Sequence, residues 1–221
     1  MTITAIAFDL DGTLVDSVQD LARAANAMRA EMGLPALDPA TVESYVGDGA
    51  ASLVARTLRD SHAAEFSGSE DEKRAMELFN SHYRAGLTIA TKFYPRVQEV
   101  LHTLHERGVP LAIVTNKPER FTLPLLRELG VFEHFDAVIS GDTASDKKPS
   151  AAPILLAAER LGVPVEGLLM VGDSKNDILA GRNAGCPVVA VSYGYGEVES
   201  LGADAVIHDF RDLLEFIDSG L

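Results

Sequence analysis

The 221-residue chain has a single cysteine, Cys186, so it can form no disulfide within itself. With 47% hydrophobic residues over this length it can bury a sizeable core without disulfides or structural metal. Positive charge is also scarce: 19 Lys and Arg stand against 33 Asp and Glu, a formal net charge of -14. That excess repels nucleic acid and anionic membranes at long range. It repels free anions too, except where cations or backbone N–H groups dominate locally. Long apolar runs are missing, none approaching the ~18 residues of a membrane span, and no positively charged segment precedes the apolar run in "MTITAIAFDLDG". No basic run, low-complexity tract or internal repeat appears. These absences predict a cytoplasmic protein with neither nucleic acid nor membrane as partner; between monomer and homodimer the sequence does not choose.

What is present begins with apolar runs. Ile3–Phe8, Leu111–Val114, Ala137–Ile139, Leu168–Val171, Val188–Val191 and Ala205–Ile207 read as short buried strands. Between several of them lie helical patterns at Arg96–Arg107, Phe121–Leu129 and Ile154–Leu161. This alternation predicts an α/β, Rossmann-like core, a parallel sheet covered by helices on both faces. From Ser17 to about Gly86 the pattern is helical throughout, with segments near Pro39–Tyr45, Ala50–Arg59 and Glu70–Arg84. The expected organisation is therefore a core of residues 1–15 and 88–221 with a helical domain, 16–87, inserted after the first strand. Asp16 and Ser17 are expected to cap its first helix, with Gln19 and Asp20 in a capping-box-like turn. The polar stretch 61–73 is expected on the surface.

In an open parallel sheet, ligands bind beyond the carboxyl ends of the strands. Polar residues fall at four such ends: Asp9 and Asp11 after the first strand, Thr115 and Asn116 after "LAIV", Lys148 after "AVISGDT", and Asp173 with Asp177 after "LLMVG". Asp9, at a strand end before a turn at Gly12, suits attack on phosphorus to give an aspartyl-phosphate. Attack by one anion on another requires charge cancellation, which Mg²⁺ shared with Asp173 would supply. Asp11 is placed to protonate a leaving alkoxide and later to deprotonate water. Thr115 and the N–H of Asn116 suit phosphate oxygens, Lys148 a point charge on the phosphoryl group, and Asp177 the orientation of Lys148 or of a metal-bound water. Each has a plainer reading: Asp9 as a turn residue, Thr115 as a helix cap, Lys148 as a solvated lysine and Asp177 as a first-turn acid. The set at four strand ends favours the chemical one. Cys186, in "AGCPVV", reads as a core residue, and the histidines form no evident ligand pattern.

These residues resemble the haloacid dehalogenase superfamily of phosphohydrolases along nearly the whole chain. "DLDGT" is similar to its first motif (Asp9 nucleophile, Asp11 acid/base), "VTN" to the second (Thr115), "KKP" to the third (Lys148) and "GDSKND" to the fourth (Asp173, Asp177). The helical insert resembles its small helical cap. Within the superfamily, "YVGDGAASLVARTL", "VTNKPERF" and "YGYGE" are most similar to bacterial phosphoglycolate phosphatases. The resemblance implies an Mg²⁺-dependent phosphatase of a small phosphate ester, 2-phosphoglycolate first, with Asp9, Asp11 and Asp173 at the metal. Other small phosphometabolites (a sugar phosphate, a nucleotide or pyrophosphate) are the alternative. A dehalogenase has no need of Asp11, a phosphomutase usually differs at Thr13, and a non-catalytic relative would have lost one of the four central residues. Substrate choice is expected in the insert, where Gly49 opens a helix whose N–H groups suit a carboxylate and Arg56 offers a guanidinium. Gly49 merely turning the chain and a solvated Arg56 are the plainer readings. One departure stands out: the family usually reads K-P-x-P, whereas Ser150-Ala151 follows Lys148-Pro149 here.

Overall fold

The apolar runs assemble into one sheet because each is hydrophobic on both faces and needs cover on both. In the computed structural model, which describes residues 2–219, the strands are β1 (Ala5–Phe8), β4 (Leu111–Val114), β5 (Ala137–Ile139), β6 (Leu168–Gly172), β7 (Val188–Val191) and β8 (Ala205–Ile207). Their order is β5-β4-β1-β6-β7-β8, and every neighbouring pair is parallel. β1 starts at Ala5 rather than Ile3, since the N–H of Thr4 donates to Gly167 O outside the ladder. All residues of β1, β4, β6 and β7 are buried. Helices α5 (Val97–Glu106), α6 (Glu119–Glu128), α7 (Ala152–Leu161), α8 (Lys175–Ala184) and α9 (Asp212–Ser219) complete this part of the chain. β1 is central: Phe8 is level with Ile113 on one side and Val171 on the other. The residues after Phe8, Val114 and Gly172 therefore emerge side by side.

The chain divides into two compact units, one of residues 1–16 and 93–221 carrying the sheet, the other Ser17–Lys92. The second contains α1 (Val18–Glu31), α2 (Pro39–Glu43), α3 (Ala50–Arg59) and α4 (Glu70–Arg84). The chain leaves the first through β2 (Val15–Asp16) and returns through β3 (Lys92–Phe93). Within the helical unit α1 packs on α4. The α1 face of Leu21, Ala25 and Met28 and the α4 face of Ala75, Phe79 and Tyr83 are buried, and the Phe79 and Tyr83 rings stack at 5.6 Å.

Two local expectations fail here for one reason: buried carboxylates take the best donors within reach. Ser17 stands at the N-cap of α1 without a side-chain cap bond. Asp20 does not close a capping box. Its Oδ2 accepts from Ala90 N (2.9 Å), Thr91 N (2.8 Å) and Thr91 Oγ1 (2.8 Å), tying α1 to the end of the unit. The polar stretch before α4 is also not wholly on the surface. Glu72, boxed with Ser69, is fully buried and takes Ser67 N and Oγ and an Arg59 ion pair at 2.7 Å.

Candidate active site

Asp9 leaves β1 with its N–H still in the ladder, donating to Val171 O at 2.9 Å. Asp173 leaves β6 next to it, and its carboxylate fills a space that only glycines leave open. A Cβ on Gly12, whose φ is +88°, would lie 2.3 Å from Asp173 Oδ2, and one on Gly194 would lie 2.2 Å from Asp173 Cβ. Thr13 Oγ1 donates to Asp173 Oδ1 at 2.7 Å and Tyr195 N to Oδ2 at 2.8 Å. Carboxylate oxygens of Asp9, Asp173 and Asp177 lie within 4.8 Å of one another, and among the described residues no other set of three or more Asp, Glu, His or Cys side chains converges so closely.

Crowding two buried carboxylates, Asp173 and Asp177, with the partly buried Asp9 is costly, and the titration directions record it. Burial, with Asp177 adding, outweighs Lys148 and pushes Asp9 up to about 6. Burial, then Asp177 and Asp9, push Asp173 up to about 8 against the Thr13 and Tyr195 bonds. Lys148 is the internal counter-charge: its Nζ lies 2.6 Å from Asp177 Oδ1, 2.9 Å from Asp9 Oδ1 and 2.6 Å from Val114 O. Burial opposes its charge, yet Asp177 and Asp9 prevail and hold its pKa above the ordinary value. Asp177 serves twice, since Oδ2 closes a capping box with Ser174 at the start of α8 while Oδ1 takes the lysine. The chemical and the helix-terminal readings of that residue thus coexist.

Lys148 is held in turn by Asn116, whose Nδ2 donates to Lys148 O and whose Oδ1 accepts from Lys148 N, both at 2.9 Å. Asn183 Nδ2 donates to Pro149 O at 2.8 Å and Ala152 N to Ser150 Oγ at 3.2 Å. Polar bonds therefore brace the lysine loop where the family's second proline is missing. Thr115, 4% exposed, sits at the end of β4 and accepts from Lys117 N at 3.2 Å.

Asp11, expected both as acid/base and at the metal, stands apart from the three clustered carboxylates. Its two oxygens face Lys117 Nζ at 3.0 and 2.9 Å. Gly49 and Arg56 belong to the helical unit. Gly49 is the N-cap of α3 with φ 89°, and Arg56 pairs with Asp48 at 2.6 Å while donating to Tyr45 O at 3.2 Å. Its guanidinium is committed to its own unit rather than solvated. Cys186 is buried and its thiol is pushed up to about 12 by that burial, as expected of a core residue. Lys117 and Tyr195 were given no role from the sequence, and Thr13 entered only as a position at which a phosphomutase usually differs. The signal available for Lys117 was its position one residue beyond "TN" in a strand-end loop.

Comparison with known proteins shows the family. A sequence model of the haloacid dehalogenase-like hydrolase family matches residues 6–191. The chain is 47% identical over 218 residues to the phosphoglycolate phosphatase of Chromobacterium violaceum, covering 99% of this chain and 98% of that protein. It is 44% identical to the phosphoglycolate phosphatase of Neisseria meningitidis, covering 91% and 86%. The crystal structure of a predicted phosphoglycolate phosphatase from Haemophilus somnus superposes with a TM-score of 0.90 at 33% identity, covering 97% and 98%.

Proposed function

The chain belongs to the haloacid dehalogenase-like hydrolase family and is a phosphomonoester hydrolase, and from that premise we propose that it cleaves 2-phosphoglycolate to glycolate and phosphate through Asp9. The observation that carries the reading is the meeting of Asp9, Asp173 and Asp177 around Lys148 at the carboxyl edge of the sheet. An Asp9 carboxylate oxygen attacks phosphorus and the ester P–O bond breaks, while the Asp11 carboxyl gives its proton to the departing alkoxide. Water then passes a proton to Asp11 as its oxygen attacks phosphorus, breaking the bond to Asp9 and releasing phosphate. Lys148, the Thr115 hydroxyl and the N–H of Asn116 hold the phosphoryl oxygens.

A hard divalent cation fits this donor set. Asp9 Oδ1 is buried without a hydrogen bond, since the Lys148 contact is an ion pair lacking hydrogen-bond geometry. Asp177 is already neutralised by the Lys148 ammonium, whereas Asp173 is met by the neutral donors Thr13 Oγ1 and Tyr195 N, so Asp9 and Asp173 are the carboxylates that would hold Mg²⁺. Bound there, the ion would neutralise charge developing on the phosphoryl group. Against the acidic excess of the whole chain, Lys148 and this cation would supply local attraction for a substrate that carries both a phosphate and a carboxylate.

In this reading the core performs phosphoryl transfer and the helical unit acts as the cap that chooses the substrate, through the Gly49 turn and Arg56. The test is phosphate release over a panel of phosphometabolites with and without Mg²⁺. A leading rate on 2-phosphoglycolate supports the proposal; a leading rate on a sugar phosphate, nucleotide or pyrophosphate replaces the substrate.

A further inference from the structure

Three consecutive residues of the loop from β4 to α6 each face a different part of the site. Thr115 stands at the strand end and the Asn116 side chain clamps Lys148. Lys117 crosses to Asp11, on the loop after β1. Its Nζ lies 3.0 Å from Oδ1 and 2.9 Å from Oδ2, with the lysine side chain 4% and the aspartate 12% exposed. A lysine surrendered to burial loses hydration and rotamer freedom, which a merely solvent-facing ion pair would not require.

The main chain under this lysine is fixed on both sides. Its N–H donates to Thr115 Oγ1 at 3.2 Å, and its carbonyl accepts from Gly141 N at 2.8 Å and Thr122 Oγ1 at 3.2 Å. Gly141 can approach because a Cβ there would stand 2.2 Å from Asn116 O. The ammonium therefore projects from an anchored base. Gripping both oxygens, it restrains the rotation of the Asp11 carboxylate and keeps it out of the group formed by Asp9, Asp173 and Asp177. A carboxylate offers about four lone-pair sites, more than one ammonium can occupy.

We propose that Lys117 is a positioning residue for Asp11, holding the acid/base carboxyl in register with the ester oxygen; the proposal rests on the acid/base reading of Asp11. Proton donation matters most for a poor leaving group, because an alkoxide must be protonated as it departs whereas a nitrophenolate need not be. Misplacing the donor by an ångström is enough to cost about a hundredfold. The cost should consequently fall on alkyl esters and on kcat.

The experiment compares wild type, Lys117→Met and Asp11→Asn on a series of phosphomonoesters from 4-nitrophenyl phosphate to ethyl phosphate, with inorganic-phosphate inhibition and thermal unfolding measured alongside. The expected result is that Lys117→Met loses at least about tenfold more kcat on ethyl phosphate than on 4-nitrophenyl phosphate, with Asp11→Asn showing the same slope more steeply. If Asp11→Asn shows no leaving-group dependence, the acid/base reading itself falls. If Asp11→Asn shows it but Lys117→Met slows all esters equally, or none, the positioning role alone is overturned. Should Lys117→Met not fold, Lys117→Gln carries the same two outcomes.

Discussion

The Asn116 carboxamide and the Lys148 backbone are bonded reciprocally: Asn116 Nδ2 donates to Lys148 O and Lys148 N donates to Asn116 Oδ1, each at 2.9 Å. Both residues are buried, at 5% and 4% exposure, so neither bond competes with water. The contact links the loop after β4 to the loop after β5 and sets where the lysine side chain starts. It also braces a loop in which Ser150-Ala151 follows Lys148-Pro149 and which holds a charged group between two carboxylates.

Asn116→Ala is expected to lower kcat/KM for a phosphomonoester by about a hundredfold, because Lys148 loses its register against Asp9. Leaving the Lys148 N–H and C=O without partners should also destabilise the fold by about 1–3 kcal/mol for each buried group. Steady-state kinetics and denaturant unfolding check the two effects separately. Activity within twofold of wild type would show that the clamp is dispensable.

The sheet was legible because its information is local. A run such as "LAIV", apolar on both faces, has few alternatives to a buried parallel strand, and an acid placed immediately after such a run is conspicuous. Asp9, Asp173 and Lys148 were visible on those grounds. What escaped were partnerships across long separations. Asp20 has a local geometry suited to a capping box, yet its donors lie 70 and 71 residues away. Lys117 and Asp11 are 106 residues apart, and no spacing rule joins them. Arg56, expected as a carboxylate anchor or else solvated, pairs with Asp48, which does not stand at an i, i+4 position. Only the folded turn brings the two charges together.

Asp9→Asn should abolish turnover while leaving the fold intact, since an amide oxygen is too weak a nucleophile to displace the ester. The carboxylate is replaced by a group of nearly equal size at a strand end, so the circular-dichroism spectrum should be unchanged. Acid-quenched wild type, but not the variant, should carry one phosphoryl group by intact mass. Comparable phosphate release by wild type and Asp9→Asn would sink the aspartyl-phosphate route.

Metal and pH should act on the same two carboxyls. Asp9, at about 6, and Asp173, at about 8, lie above their ordinary 3.8, so the folded chain binds more protons than the unfolded chain between those values. Stability without metal therefore falls as pH rises through that window and is recovered on acidification. A cation displaces those protons, so Mg²⁺ should raise the melting temperature more at pH 8 than near pH 5, by about 5–10 °C at a hundredfold excess over Kd. EDTA should stop turnover, Mg²⁺ restore it and Ca²⁺ fail, because Ca²⁺ demands more ligands at longer distances. Full-rate hydrolysis in EDTA, or equal thermal shifts at both pH values, would contradict the assignment.

The choice of substrate should be separable from the chemistry. In the proposed reading the groups around Asp9 recognise the phosphoryl group, and nothing in them is assigned to the alcohol attached to it. A carboxylate two carbons from phosphorus is what distinguishes 2-phosphoglycolate from ethyl phosphate, and its receptor is proposed at the turn that opens α3. Gly49 adopts φ 89° there, a conformation that a β-branched residue adopts only under strain. Arg56 braces the turn from within the same unit, through Asp48 at 2.6 Å and Tyr45 O at 3.2 Å. It can meet a substrate carboxylate only by sharing its guanidinium with Asp48. Wild type should prefer 2-phosphoglycolate over ethyl phosphate by at least roughly tenfold in kcat/KM, the scale expected when a site is built to pair a charged group. Gly49→Val and Arg56→Ala should shrink that preference while changing 4-nitrophenyl phosphate hydrolysis less, since neither residue lies in the unit that carries Asp9. A preference that survives both substitutions would move carboxylate recognition out of the helical unit, and the lysine-bearing loops of the core would be the next place to look.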